Sequence, residues 1–179
     1  MKTSKLISAA MALCMCFTVF TGCDDGGSGF GSGHNSPETA AYTLLDAVNS
    51  KDGEQLVDAL IPGEWIAGVK SASSSKYRAF VSDYQDYIDE CSGYFGKDYY
   101  ITADVTGVTG LSGRKLDRYS SYAEKQCRKY GVKDCSITEG KIVEFKYTAE
   151  GSKRKKSGTG ELFVVNYAGY GWYAMDIDY

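Results

Sequence analysis

Lys141-Ile142-Val143-Glu144-Phe145-Lys146-Tyr147-Thr148, Gly160-Glu161-Leu162-Phe163-Val164-Val165-Asn166-Tyr167 and Trp172-Tyr173-Ala174-Met175-Asp176-Ile177-Asp178-Tyr179 end the chain as three closely spaced runs. All three are rich in β-branched and aromatic residues, and the first and last alternate in polarity, which reads as strands. The segments between them, Glu150 to Gly158 and Ala168-Gly169-Tyr170-Gly171, are dominated by turn residues. Consecutive strands joined by short turns form hairpins, so the pairing is antiparallel. Upstream, Tyr99 to Val108 has the same character and runs into Gly110 and Gly113, giving a fourth strand.

Between the first strand and the other three, the period changes. Leu116, Tyr119, Ala123, Cys127 and Tyr130 share a helical face over Arg114 to Tyr130. Lys125, Arg128 and Lys129 suit its C-terminus, and Gly131 sits where a left-handed cap belongs. Further upstream, Ser36-Pro37-Glu38 is a helix entry followed by Ala41, Leu44, Leu45 and Val48. Asp52 caps a short helix carrying Leu56, Val57 and Leu60, which Pro62 stops. A third, longer helix opens in Ser73-Ser74-Ser75 and ends near Gly93, with Tyr77, Phe80, Val81, Tyr84, Ile88 and Cys91 on one stripe. The order predicts an α+β domain in which N-terminal helices and a long helix pack on a curved four-stranded antiparallel sheet. The last strand is expected to hold Tyr173, Met175, Ile177 and Tyr179 on its apolar face, with Asp176 and Asp178 opposite in solvent.

The chain has 179 residues, 43% hydrophobic and 24% charged, with 21 Gly, 2 Pro and one His. That composition excludes a disordered tail, a collagen-like repeat and a polytopic membrane protein. GxGxxG, GxxxxGK[ST] and GxSxG are all absent, so no motif names a chemistry.

The N-terminus is more specific. Lys2 and Lys5 precede an apolar run, Leu6 to Phe20, that is short for a bilayer span and suited to a secretory signal. Val19-Phe20-Thr21-Gly22-Cys23 resembles the lipobox of bacterial lipoproteins, with Phe20 in place of the usual Leu. The resemblance implies cleavage before Cys23, a diacylated Cys23 and a lipid-anchored protein at a bacterial cell membrane, facing away from the cytoplasm. The alternative is plain cleavage after Gly22 with an unmodified thiol. Asp24 to Asn35 reads as a Gly/Ser tether with a reach of about 20 Å. It carries His34, which leaves no imidazole in the expected fold. Residues 1–22 are thus read as signal, 23–35 as tether and 36–179 as one domain. Loss of the signal removes Lys2 and Lys5 and no acid, moving the net charge from −3 to −5 and disfavouring nucleic acid.

Ser36-Pro37-Glu38, the Asn49-Ser50-Lys51-Asp52-Gly53 break, Leu56 to Pro62 and the terminal Gly171-Trp172-Tyr173 together resemble the cystatin-like superfamily and, within it, nuclear-transport-factor-2-like (ketosteroid-isomerase-like) lipoproteins. That resemblance implies a cone-shaped pocket between helices and sheet, used by some members for catalysis and by others for binding alone. Ketosteroid-isomerase-like chemistry would need a carboxylate base and a Tyr with a protonated acid around an oxyanion. Asp104, Glu144, Asp176 and Asp178 are the strand acids of the right type, but alternation places such acids on solvated faces.

Tyr is abundant, 15 residues, all beyond the signal. Most fall at core or strand positions. Tyr94, Tyr100 and Tyr170 sit in or beside turns, and Trp65 follows Pro62, so these four are the candidates for a pocket mouth. Trp65 is expected there to serve binding more than stability. Lys153-Arg154-Lys155-Lys156 reads as a solvated hairpin tip, or alternatively as a contact for anionic lipid or wall polymer. Of the cysteines beyond Cys23, Cys127 and Cys135 form the preferred disulfide, leaving out Cys91; a bridge from Cys91 to either is the alternative. Three Cys without a His give no metal spacing, and no cofactor is expected. The reading is a non-catalytic binding or interaction module with a small-molecule, glycan or protein partner. A pocket enzyme using carboxylate and Tyr is the alternative.

Overall fold

The computed structural model describes residues 33–111, 113–130 and 136–175. Within them the order is α1 (Pro37–Ser50), α2 (Gly53–Leu60), α3 (Gly63–Ala72), α4 (Ser74–Phe95), β1 (Tyr100–Leu111), α5 (Arg114–Tyr130), β2 (Ile137–Glu150), β3 (Lys155–Tyr167) and β4 (Gly171–Ala174). The expected α+β class is therefore observed. The Cys127–Cys135 bridge lies outside the described residues, as do Cys23, Asp176 and Asp178. No helix among the described residues is long and apolar enough to cross a membrane.

The helix entries follow from their caps. Ser36 is extended, and its Oγ accepts from the Thr39 N–H at 3.2 Å, with Pro37 in the first turn. Such a cap contributes about 1 kcal/mol. Lys51 ends α1 in the left-handed region, at φ 61°. Asp52 Oδ1 then accepts from Glu54 and Gln55 to start α2, and Ser73 Oγ accepts from Lys76 to start α4. Helix α3 has no side-chain cap and was not expected from the sequence. Pro62 stops α2 and at once opens α3, its carbonyl accepting from Trp65 at 2.8 Å.

The sheet is an antiparallel meander, β1-β2-β3-β4. The β1–β2 register slips between Val105 and Gly107, so Thr106 is an extra residue in β1. A second irregularity falls between Ile137 and Glu139 of β2. Bulges of this kind bend and twist a sheet, which curves it toward the helices. On one face, Val143, Phe145, Leu162, Val164, Trp172 and Ala174 join Ala40, Leu44 and Val48 of α1 in the larger core. Helix α1 touches all four strands, whereas the longer α4 packs on α2 and α3. Asn49, at the end of α1, bonds both backbone groups of Ile101, donating from Nδ2 to the carbonyl at 2.9 Å and accepting from the N–H at 3.0 Å. That pair ties the helix to the outer edge of β1.

The other face is covered in part, with Glu144 and Lys146 left exposed toward the β2–β3 tip. Val165, Tyr167, Tyr173 and Met175 pack with Tyr119 and Ala123 of α5, Leu111 and Trp65. Tyr173 and Met175 are thus on a buried face as expected, whereas Asp176 and Asp178, on which the expected solvated face rested, lie outside the described residues. Trp172, Tyr173, Ala174 and Met175 are all buried, because α1 lies on one side of β4 while α3 and α5 cover the other. The unbroken apolar run Leu162 to Val165 is what a strand covered on both faces looks like.

One further expectation changes. His34 does not stay in a tether outside the fold. Its backbone N–H and carbonyl bond Trp172 at 3.1 and 3.0 Å, a bridge that extends the sheet past β4. The basic run falls at the tip of the β2–β3 hairpin with Lys153, Arg154 and Lys155 exposed, as expected of a solvated tip. Strands β2 and β3 extend to Glu150 and Lys155, so Lys155 and Lys156 lie in a strand. Lys153 donates from Nζ to the Gly93 carbonyl at 2.9 Å and from its backbone N–H to Phe95 at 2.8 Å, and the Arg154 guanidinium lies 4.2 Å from the centre of the Tyr94 ring. Cations at the last turn of α4 meet its exposed carbonyls and the negative end of its dipole, so the hairpin is docked there.

Candidate functional site

Helices α2, α3 and α4 meet around Val57, Ile66 and Tyr77. Their apolar stripes face one another, but the three do not close fully against the end of β3. The result is a cleft of about 240 Å³ walled by α2, α3 and α4, by Tyr122 of α5 and by Tyr167 and Met175 from the sheet side. A cavity of about 150 Å³ lined by aliphatic and aromatic side chains holds a benzene-sized guest, so this one has room for a larger body.

Trp65 forms part of the wall. It is 7% exposed, and its ring meets Tyr167 at 5.1 Å between centroids with a 57° tilt. Its Nε1 is buried and has no hydrogen-bond partner. An unpaired buried donor costs about 1–3 kcal/mol, and this one is closed off from the cleft as well as from solvent. Behind Trp65, the Tyr170 hydroxyl donates to Glu64 Oε2 at 2.6 Å, pinning the β3–β4 turn to α3. Burial, helped by the neighbouring Tyr122 and Tyr173, pushes the Tyr167 phenol well above the ordinary tyrosine range, so it stays a neutral hydroxyl. Among the described lining residues the only ionic one is Lys76, on the rim. Nearby, Lys70 Nζ lies 4.2 Å from the centre of the Tyr77 ring. Burial raises the Asp58 carboxyl, and Lys70 partly offsets the shift.

Of the four aromatic candidates, Trp65 and Tyr170 are at this end of the molecule. Tyr94 packs on Phe95 at 4.8 Å in the last turn of α4, and Tyr100, 49% exposed, is opposite Glu150 at the start of β1. That is the other end of the sheet, about 40 Å away along β3, so the four are not one site. The sequence reading missed Lys76, Tyr122, Tyr167 and Met175. Tyr77 and Tyr167 looked like core residues, which they also are, and nothing in their spacing reveals an opening between helices. The only available pointer was Trp65-Ile66 with Val69, an apolar spacing directly after Pro62.

The cone that the family resemblance implies falls between α1 and the concave face of the sheet. There the free space is about 20 Å³, lined by apolar side chains including Leu44, Val48, Phe145 and Leu162. That is a single water's worth of space without polar partners. Asp104 and Glu144 are exposed, away from both spaces. Among the described residues no carboxylate or imidazole lines the cleft, and no three His, Cys, Asp or Glu gather as metal ligands. The described wall offers apolar surface, tyrosine rings and one ammonium. No family model, no curated protein and no solved structure matches the chain.

Proposed function

We propose that the protein is a lipoprotein of the nuclear-transport-factor-2-like type, held by acylated Cys23 at a bacterial membrane and facing away from the cytoplasm, and that its folded part is a non-catalytic module that binds a small molecule. The signal-like Leu6 to Phe20, the Cys23 context and the Gly/Ser stretch behind it support the anchor. The observation that carries the binding reading is the cleft of about 240 Å³ between α2, α3, α4 and the end of β3, lined by aliphatic and aromatic side chains with Lys76 at its rim. Apolar concavities with a few fixed polar groups are where proteins hold small ligands. A space on whose described wall no carboxylate or imidazole stands supports holding a ligand over transforming it.

The test is to fill the space. N-phenyl-1-naphthylamine, a neutral fluorescent probe, should bind the full chain and lose about tenfold or more in affinity to an Ile61→Phe, Val69→Phe double variant whose circular dichroism is unchanged. An unbound probe, or equal binding by both proteins, would overturn the reading.

A further inference from the structure

We infer that the cleft takes an apolar-bodied monoanion of the carboxylate kind, with its rings or branched chain against Trp65, Ile66 and Phe80 and its charge at Lys76. The inference rests on the cleft being a binding site. It adds the chemistry of the ligand, which follows from what the described wall contains and lacks.

The described wall is apolar side chains and tyrosine rings with one ammonium, that of Lys76. An ammonium has no acceptor function, whereas the tyrosine hydroxyls, Tyr167 among them, can both donate and accept. No described acid lines the space to pair with a cationic or donor-rich ligand. With that ammonium the one described charge on the wall, the complementary charge on a guest is negative. Lys70 and Lys76 are not equivalent here. The ammonium of Lys70 is placed on the Tyr77 ring and lies close enough to Asp58 to act on its carboxyl. Lys76 makes no ion pair among the described residues and stands in the first turn of α4, where the helix dipole adds to its positive potential. The apolar remainder, Val57, Leu60, Ile61 and the rings of Tyr77 and Phe80, sets the body of the guest. A volume of about 240 Å³ suits one or two rings or a branched chain and excludes a polymer segment.

Two probes with the same rings and different charge test this on the full chain: 8-anilinonaphthalene-1-sulfonate, an anion, and the neutral N-phenyl-1-naphthylamine. Lys76→Gln should weaken the anion about fivefold, the size of one partly exposed charge contact, and leave the neutral probe unchanged. Lys76→Arg should restore the anion, and 2-naphthoate should displace both probes. Lys76 is exposed, so these variants should unfold at the wild-type midpoint. Equal effects of Lys76→Gln on the two probes, or no effect on either, would overturn the anion assignment while leaving cleft binding in place. Retention of both probes by the Ile61→Phe, Val69→Phe protein would remove the cleft itself.

Discussion

Trp65 shows how one side chain changes meaning once its helix is known. Read as a lone aromatic after Pro62, it belongs at a pocket mouth and should matter little to stability. In the fold it is the third residue of α3, 7% exposed and stacked against Tyr167, so the same ring is both wall and core. Trp65→Ala should therefore cost about 3–5 kcal/mol in urea unfolding, the reverse of what a mouth position predicts. Trp65→Phe keeps most of the ring contact and removes the unpartnered N–H, and these opposing changes should leave it within about 1.5 kcal/mol of wild type. An alanine variant that unfolds at the wild-type urea concentration would place the ring at the mouth after all. The residue type was readable from the sequence; its burial depended on α3, which had no cap or long stripe to announce it.

At the level of elements, what could be read were those with local signatures. Ser36, Asp52 and Ser73 have side-chain oxygens that start helices, and the alternation of Lys141 to Thr148 belongs to a strand with one polar face. What could not be read was set by long-range packing. Helix α5 lies over the second face of the sheet because Tyr119 meets Phe163, at 5.8 Å between centroids, and nothing local to either residue specifies that meeting. The His34 bridge is another such case, since Gly33-His34-Asn35 has the composition of a linker and pairs only because the edge of β4 is there to receive it. Burial holds the His34 imidazole below its usual value, near Thr43 and Tyr173. The folded protein therefore binds this proton less readily than the unfolded chain. Stability is full above the unfolded value of about 6.5 and falls as the pH drops through it toward the folded value, where the loss levels off. We expect the thermal midpoint to drop between about pH 7.5 and pH 5.5, and to drop less in His34→Asn. Parallel curves for the two proteins would mean that the imidazole is as solvated in the fold as in the unfolded chain.

Over the whole molecule, the placement of the two ends decides between two readings of the basic hairpin. If Cys23 carries the anchor, the tether reaches the fold at His34, beside Trp172 and hence beside Asn166 near the end of β3. Lys153 and Arg154 lie at the other end of that strand, about 40 Å away for its 13 residues. A Gly/Ser coil of ten residues would reach about 18 Å. Upright on such a tether, the domain points its basic end away from the headgroups. The cations there are also engaged by the molecule itself: Lys153 on the Gly93 carbonyl, Arg154 on Tyr94 and Lys155 on Glu150. Contact with anionic lipid is thus the poorer explanation of the run, and docking the β2–β3 hairpin onto α4 is the better one. Cys23→Ala should move the protein from the membrane to the soluble fraction. Replacing Lys153, Arg154, Lys155 and Lys156 by Gln should leave the Cys23-containing protein in the membrane fraction at low and high salt alike, while lowering its unfolding midpoint through the lost contacts to α4. Salt-dependent release of the Gln variant with an unchanged midpoint would give the run back to the membrane surface, and a Cys23→Ala protein that still sediments with membranes would remove the anchor on which this orientation depends.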